Sequence, residues 1–192
     1  MEHCRLIGVF IWMSDTTSIR EILHKRSGGV INALVIVAVF VGVSAFQARN
    51  MLPTSGYPAP GLDLAILDGG RFSLDDIGER PTLVYFFAPW CTYCKVSSDN
   101  LTRLRRWRDE SDLEIVSVVL DWQNLEEVRS YAKRHELNMP VLLGDAATAR
   151  DWKVYAFPTY YVLDSGQRIR RRDIGYSTQL GLWWRSLAVR QQ

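Results

Sequence analysis

Cysteine is scarce in this chain: three in 192 residues, at positions 4, 91 and 94. So small and odd a number excludes a scaffold stapled by several disulfides, which needs more cysteines in even pairs. Histidine is equally thin, with His3, His24 and His135 scattered along the sequence. They supply no metal-ligand cluster of the close-spaced kind that zinc requires. Charge of one sign is also lacking. The formal net charge is only +2 with both signs interspersed, so nothing calls for a nucleic-acid partner, which would want a basic stripe. The single dense basic run, Arg168-Ile169-Arg170-Arg171-Arg172, reads as a solvated strand or turn with some alternation. Internal repeats and low-complexity tracts are absent, and an apolar content of 47% argues against disorder. At this length the chain holds one well-buried domain with an appendage.

Charge is missing altogether from Ser27 to Ala48, and Val30–Phe46 is almost wholly apolar. A helix of about 20 residues crosses a hydrocarbon core of ~30 Å. Residues 27–48 are therefore expected to form one N-terminal transmembrane helix, an uncleaved signal-anchor. Lys25 and Arg26 stand directly before it and only Arg49 follows closely. The positive-inside bias places residues 1–26 in the cytoplasm and everything after Arg49 outside, which for a bacterial inner membrane is the periplasm. The competing expectation is a cleaved signal peptide. Ser44-Ala45-Phe46-Gln47-Ala48 offers small residues of a cleavable kind, against an apolar stretch longer than the roughly 7–15 residues of a signal core. Met13 is an alternative start, leaving Ser14–Arg26 as a polar lead. Residues 49–58, in a stretch with Pro53, Gly56, Pro58 and Pro60, read as an extended tether. Residues 59–192 form the folded domain.

That domain alternates strands and helices. Leu62–Leu67 predicts a short strand and Asp68-Gly69-Gly70 a turn. Ser73 and Asp76 have capping-box-like spacing at the start of one helical turn, Leu74–Ile77. Thr82–Phe87 is a continuous apolar, aromatic and β-branched run of the kind found in a fully buried central strand. A helix follows from about Cys91 to Arg108, with Leu101, Leu104 and Trp107 marking its buried face. Leu113–Leu120 predicts a second core strand. Leu125, Val128 and Ala132 stripe another helix, ending near His135. A short strand at Val141–Leu143 and a short helix at Ala146–Trp152 come next. Thr159–Leu163 and Gln167–Gly175 form a hairpin about Asp164-Ser165-Gly166. In the last helix Leu180, Trp183, Trp184, Leu187 and Ala188 recur at i, i+3, i+4, i+7 and i+8, which predicts a core-facing stripe.

The chemistry sits where the buried strand hands over to the helix, in Trp90-Cys91-Thr92-Tyr93-Cys94-Lys95. A helix start offers Cys91 unpaired N–H groups and the positive end of the helix dipole, both of which favour a thiolate over a thiol. The thiolate is the form that attacks a disulfide. Cys94, one turn on and on the same face, is placed to displace the mixed disulfide and release product. This makes Cys91 the nucleophile and Cys94 the resolving thiol of a redox-active disulfide. No second pair or nearby His completes a zinc site, and Lys95 stands where a haem attachment site needs His. Three residues also close too small a loop for a purely structural disulfide to stabilise much. Copper(I) held by the two soft thiolates is the alternative of another class, although no Met- or His-rich ligand set lies near the pair. Phe157-Pro158-Thr159 is the second signal, since proline is tolerated at strand entry. A cis proline packed against the Cys pair would present backbone to an incoming peptide.

The segment Val84-Tyr85-Phe86-Phe87-Ala88-Pro89-Trp90-Cys91-Thr92-Tyr93-Cys94-Lys95 resembles the active-site segment of thioredoxins, and Phe157-Pro158-Thr159 resembles their cis-proline strand. The longer interval between the two motifs, with the Leu62–Leu74 lead-in, is similar to the membrane-tethered TlpA/ResA group. The ending Ile174–Arg185 is most similar to the suppressor-for-copper-sensitivity protein D branch of that group. The resemblance covers roughly Pro58 to Gln192. It implies an α/β thioredoxin fold, a central mixed sheet flanked by helices, behind the N-terminal anchor. It also implies a protein thiol–disulfide oxidoreductase with no organic cofactor and no metal, because the electrons travel on the cysteines. Trp90, Phe157 and Pro158 would contact substrate. Implied partners are protein disulfide or dithiol substrates and a membrane electron-transfer protein, with flow mainly in the reductive direction. Two departures stand out. Thioredoxins keep a buried Asp six residues before the first Cys, where this chain has Tyr85, and Thr92-Tyr93 lacks the proline common in thioredoxin-like reductases. Asp121, at a strand end, is either an acid–base helper or a residue that caps that edge.

Overall fold

The computed structural model describes residues 31–39, 41–43, 46 and 49–187. The expected membrane span at 27–48 lies partly outside those residues, and the cytoplasmic segment 1–26 wholly so. The described positions of the expected span are helical and exposed. No helix among the described residues is long and apolar enough to cross a membrane. Gln47–Gln192 is a separate compact unit.

The core of that unit is a six-stranded sheet in the order β1-β8-β7-β4-β5-β6. Its strands are β1 (Tyr57–Pro58), β4 (Thr82–Phe87), β5 (Glu114–Val119), β6 (Val141–Leu143), β7 (Thr159–Leu163) and β8 (Arg168–Ile174). β2 (Asp63–Ala65) and β3 (Arg71–Ser73) make a separate hairpin. The helices are α1 (Thr92–Trp107), α2 (Leu125–Arg134), α3 (Ala146–Asp151) and α4 (Gln179–Leu187), with a 3₁₀ turn at Leu74–Ile77. β4 pairs parallel with β5, and β5 parallel with β6. β7 returns antiparallel on the other side of β4 and carries β8 at its far edge. This is the mixed sheet of a thioredoxin fold.

Every residue of β4 and of β5 is buried, as a strand covered on both faces demands. Side chains alternate between the faces with a period of two. Leu83, Tyr85 and Phe87 therefore enter one apolar cluster with Leu101 and Leu104 of α1, Val128 and Tyr131 of α2, and Leu182 of α4. Val84 and Phe86 enter the opposite cluster, with Trp152 just after α3, and Leu74 and Ile77 of the 3₁₀ turn. The two parallel crossovers, β4-α1-β5 and β5-α2-β6, run in the same direction along the sheet. Both helices consequently cover the same face, as right-handed connections require.

Five local expectations change in the folded chain. The stripe on α4 is not its buried face: Leu180 and Trp184 are 73% and 70% exposed, and Leu182 and Ser186 point inward instead. Trp107, at the end of α1, is likewise exposed, while Leu101 and Leu104 are fully buried. Ser73 caps its turn through the Asp75 N–H without the reciprocal bond of a capping box. That box occurs at α3, where Asp145 and Thr148 exchange both bonds. The stretch read as a tether is also tied to the domain. Met51 and Leu52 are buried in the second cluster, β1 pairs with β8, and Arg168 and Arg172 donate to the Gly56 and Met51 carbonyls at 3.0 and 3.1 Å. Those arginines thus anchor the lead-in, and Arg170 pairs with Asp164, so the run is not merely solvated.

Candidate active site

β4 ends at Phe87, and the chain turns through Ala88-Pro89-Trp90 into α1. The Cys91 N–H donates to the Ala88 carbonyl at 3.1 Å, which closes this turn. Cys91 is the N-cap of α1, with extended backbone, and its Sγ accepts the Cys94 N–H at 3.1 Å. A sulfur thus takes the role that a Ser or Asp oxygen usually fills at a helix start. The same N–H and the helix dipole would hold a Cys91 thiolate once the pair is reduced. Cys91 and Cys94 form a disulfide, with Cα atoms 5.2 Å apart. They differ in access: Cys91 keeps 6% exposure and Cys94 none, while Trp90 and Tyr93 beside them are 59% and 67% exposed.

Phe157–Pro158 is a cis peptide bond, as expected. Phe86 is opposite Thr159 across the β4–β7 ladder, so Pro158 stands at the same sheet edge as the Cys pair. The Phe157 ring meets Trp90 edge-on at 5.8 Å. Trp90 and Phe157 are therefore in contact beside Cys91, with Pro158 at the same end of the sheet. Asp121 belongs to this group too, because its Oδ2 accepts the Trp90 indole N–H at 3.0 Å. Asp121 adopts φ 51°, a left-handed conformation that Asp tolerates better than most residues. A cleft of about 440 Å³ opens beside these residues, bounded by Asp121, Trp122, Gly144 and Phe157.

Behind Cys94 lies a set of hydroxyls that the sequence pattern did not reveal. The Tyr85 O–H donates to the Cys94 carbonyl at 3.0 Å. Its oxygen is 3.2 Å from Ser98 Oγ, which is 2.9 Å from the Tyr131 hydroxyl. Burial, above all, pushes Tyr85 well above the ordinary tyrosine value. Tyr131 is pushed up to about 12, again chiefly by burial. Both are therefore neutral throughout the range in which thiols titrate. Ser98 lies one helical turn beyond Cys94, so its i+4 spacing carried the only trace of this network in the sequence. Among the described residues no group of three His, Cys, Asp or Glu side chains is placed to hold a metal.

Fold and site together define a thioredoxin-fold thiol–disulfide oxidoreductase. The chain belongs to the AhpC/TSA family, which it matches over residues 55–172. It is 25% identical over 161 residues to the thioredoxin-like protein YneN of Bacillus subtilis, covering 82% of this chain and 94% of that one. Its identity to the thiol:disulfide interchange protein DsbE of Pseudomonas aeruginosa is 29% over 162 residues, covering 80% and 86%. The crystal structure of a thiol:disulfide interchange protein from Chlorobium tepidum TLS shares the fold. The two agree with a TM-score of 0.64 at 20% identity, over 72% of this chain and 99% of that one.

Proposed function

We propose that this protein is a single-pass, membrane-anchored reductant of protein disulfides, working on the periplasmic side of a bacterial inner membrane. On this reading it belongs with the TlpA/ResA group and, within it, nearest the suppressor-for-copper-sensitivity protein D branch. Cys91 attacks the substrate disulfide, Cys94 resolves the mixed disulfide, and Trp90, Phe157 and Pro158 seat the substrate polypeptide. A membrane electron-transfer protein then re-reduces the pair.

The observation that carries the chemistry is the asymmetry of the two sulfurs. Cys91 caps the helix and keeps slight exposure, and Cys94 is fully enclosed one turn behind it. The anchor is supported by the charge-free stretch 27–48 following Lys25 and Arg26. Reductive direction is supported by the proposed anchor, which keeps the domain near a membrane donor. It is supported also by the Thr92-Tyr93 dipeptide, which holds no His to stabilise a Cys91 thiolate strongly. A less stabilised reduced form makes a less oxidising couple, each ~30 mV corresponding to about 1.4 kcal/mol.

Rapid acid quenching of cells followed by thiol alkylation tests the direction. The Cys91–Cys94 pair should be largely reduced. A pair that is oxidised, and remains so when the membrane donor is overproduced, would refute the reductive reading. A reporter active only outside the cytoplasm, fused after Gln192, should give signal from carbonate-resistant membranes. A soluble mature form beginning near Gln47 would establish a cleaved signal instead. Insulin reduction beside a copper(I) titration separates thiol exchange from copper handling.

A further inference from the structure

The hydroxyl chain behind Cys94 has a direction that proton counting fixes. A tyrosine hydroxyl has one proton to donate, and Tyr85 gives its proton to the Cys94 carbonyl. Tyr85 can therefore only accept from Ser98, which leaves Ser98 only able to accept from Tyr131. All three protons point toward the first turn of α1, and all three side chains are buried.

Among the described residues no buried carboxylate lies behind Cys94. The buried carboxylates among these residues are Glu114 and Asp164. Both lie at the opposite edge of the sheet: Glu114 is opposite Thr82 across β4 and β5, and Asp164 follows Leu163, opposite Thr82 across β4 and β7. The titratable neighbours of the network are few. α2 contributes Tyr131 and His135, the latter bonded to the half-exposed Asp99 of α1 at 3.0 Å. β7 contributes Tyr160, which stacks on Tyr85 at 5.2 Å and is raised above the usual tyrosine value by burial. Asp173 of β8 and Arg185 of α4 pair with each other at 2.7 Å on the far side of Tyr160. Lys95 follows Cys94, and Asp121 is engaged by Trp90.

Building on the oxidoreductase activity, we propose that Tyr85 is a positioning residue for the resolving thiol, and that Cys94 gives up its proton to water instead of to a base inside the protein. Tyr85 pins the first turn of α1 from behind through the Cys94 carbonyl. The Cys94 sulfur is thereby held toward the Cys91 sulfur of the mixed disulfide. In that step the bond between Cys91 Sγ and the substrate sulfur breaks and the Cys91–Cys94 bond forms. The Cys94 thiolate supplies the electron pair of the new bond, and the pair of the broken bond goes to the substrate sulfur, which leaves as a thiolate. That thiolate takes up a proton from water according to its own basicity, and the enzyme is oxidised by two electrons.

The reduced full-length protein, mixed by stopped flow with an aromatic disulfide, reports both steps. The first thiolate released follows attack by Cys91, and the second follows resolution by Cys94. Rates are read across a pH range spanning the ordinary thiol value of about 8.5. In the wild type, resolution should rise with a single inflection and should respond to the basicity of the leaving thiol when alkyl disulfides replace the aromatic one. Tyr85→Phe should slow resolution about fivefold, the equivalent of one hydrogen bond of about 1 kcal/mol, with attack and the shape of the pH profile unchanged. Ser98→Ala, which removes the donor to Tyr85, should slow resolution in the same selective way by a smaller factor. A second inflection in the wild-type resolution profile would reveal an internal base and overturn the proton route. Resolution at the wild-type rate in Tyr85→Phe, or equal slowing of both steps, would overturn the positioning role.

Discussion

Leu180 and Leu182 lie two residues apart on α4 and carry the same side chain, yet the fold treats them oppositely. Leu182 is 1% exposed and belongs to the cluster beneath α1 and α2, whereas Leu180 is 73% exposed. Leu182→Ala removes buried methyl groups and leaves a cavity, so a loss of about 2–5 kcal/mol is expected. The lower half of that range suits a terminal helix, which can settle partly into the space. Leu180→Ala removes surface that water already reaches, and Ala is the better helix former. Its expected effect is within about 0.5 kcal/mol of zero. Urea unfolding of the unit Gln47–Gln192, followed by far-UV circular dichroism, measures both at once. A shared slope with a lowered midpoint for Leu182→Ala alone is the expected result. Equal losses in the two variants, or a larger loss in Leu180→Ala, would refute this packing and restore the stripe that helical periodicity predicts.

Three further outcomes follow from the site and the hairpin. Cys91→Ser should abolish disulfide exchange, whereas Cys94→Ser should accumulate mixed disulfides through Cys91; faster alkylation of Cys94 than of Cys91 in the reduced protein would reverse the roles. At Asp164 burial raises the carboxyl, but bonds from the Arg168 N–H and the Arg170 guanidinium outweigh it and leave it below the usual carboxylate range. Its stabilisation is therefore present above the unfolded value of about 3.9 and lost as pH falls through the lower folded value. Urea midpoints of Asp164→Asn should accordingly fall less than those of the wild type on acidification through that window. Gly144→Ala would place a Cβ 2.7 Å from Leu120 Cδ2, 2.8 Å from Val118 Cγ1 and 3.1 Å from the Val119 carbonyl oxygen. Such overpacking should cost about 1–3 kcal/mol, read as a lowered thermal midpoint.

Much of this protein is legible in one dimension, wherever a signal is local. Thr82–Phe87 is a continuous apolar, aromatic and β-branched run, and it is the central strand because a strand covered on both faces has no need of an alternating polar face. The Cys91–Cys94 pair at a strand-to-helix junction announces its own chemistry, since the helix start supplies the N–H groups whatever surrounds it. Phe157-Pro158 before a β-branched strand is similarly self-declaring.

The tertiary structure alone decided which side of each element meets the core. A periodic stripe of Leu180, Trp183, Trp184 and Leu187 identifies a helix, but the face that is buried depends on how α4 docks beside α1. There Leu182 and Ser186 are turned inward. Trp90 and Asp121, 31 residues apart, meet only because β4 and β5 end side by side. Tyr85, Ser98 and Tyr131 come from a strand and two helices, and no sequence spacing links the first to the last. Their hydroxyls converge behind Cys94 because both parallel crossovers lay their helices on the same face of the sheet. Residue periodicity reports how an element coils, while contacts between elements are set by the handedness of the connections that join them.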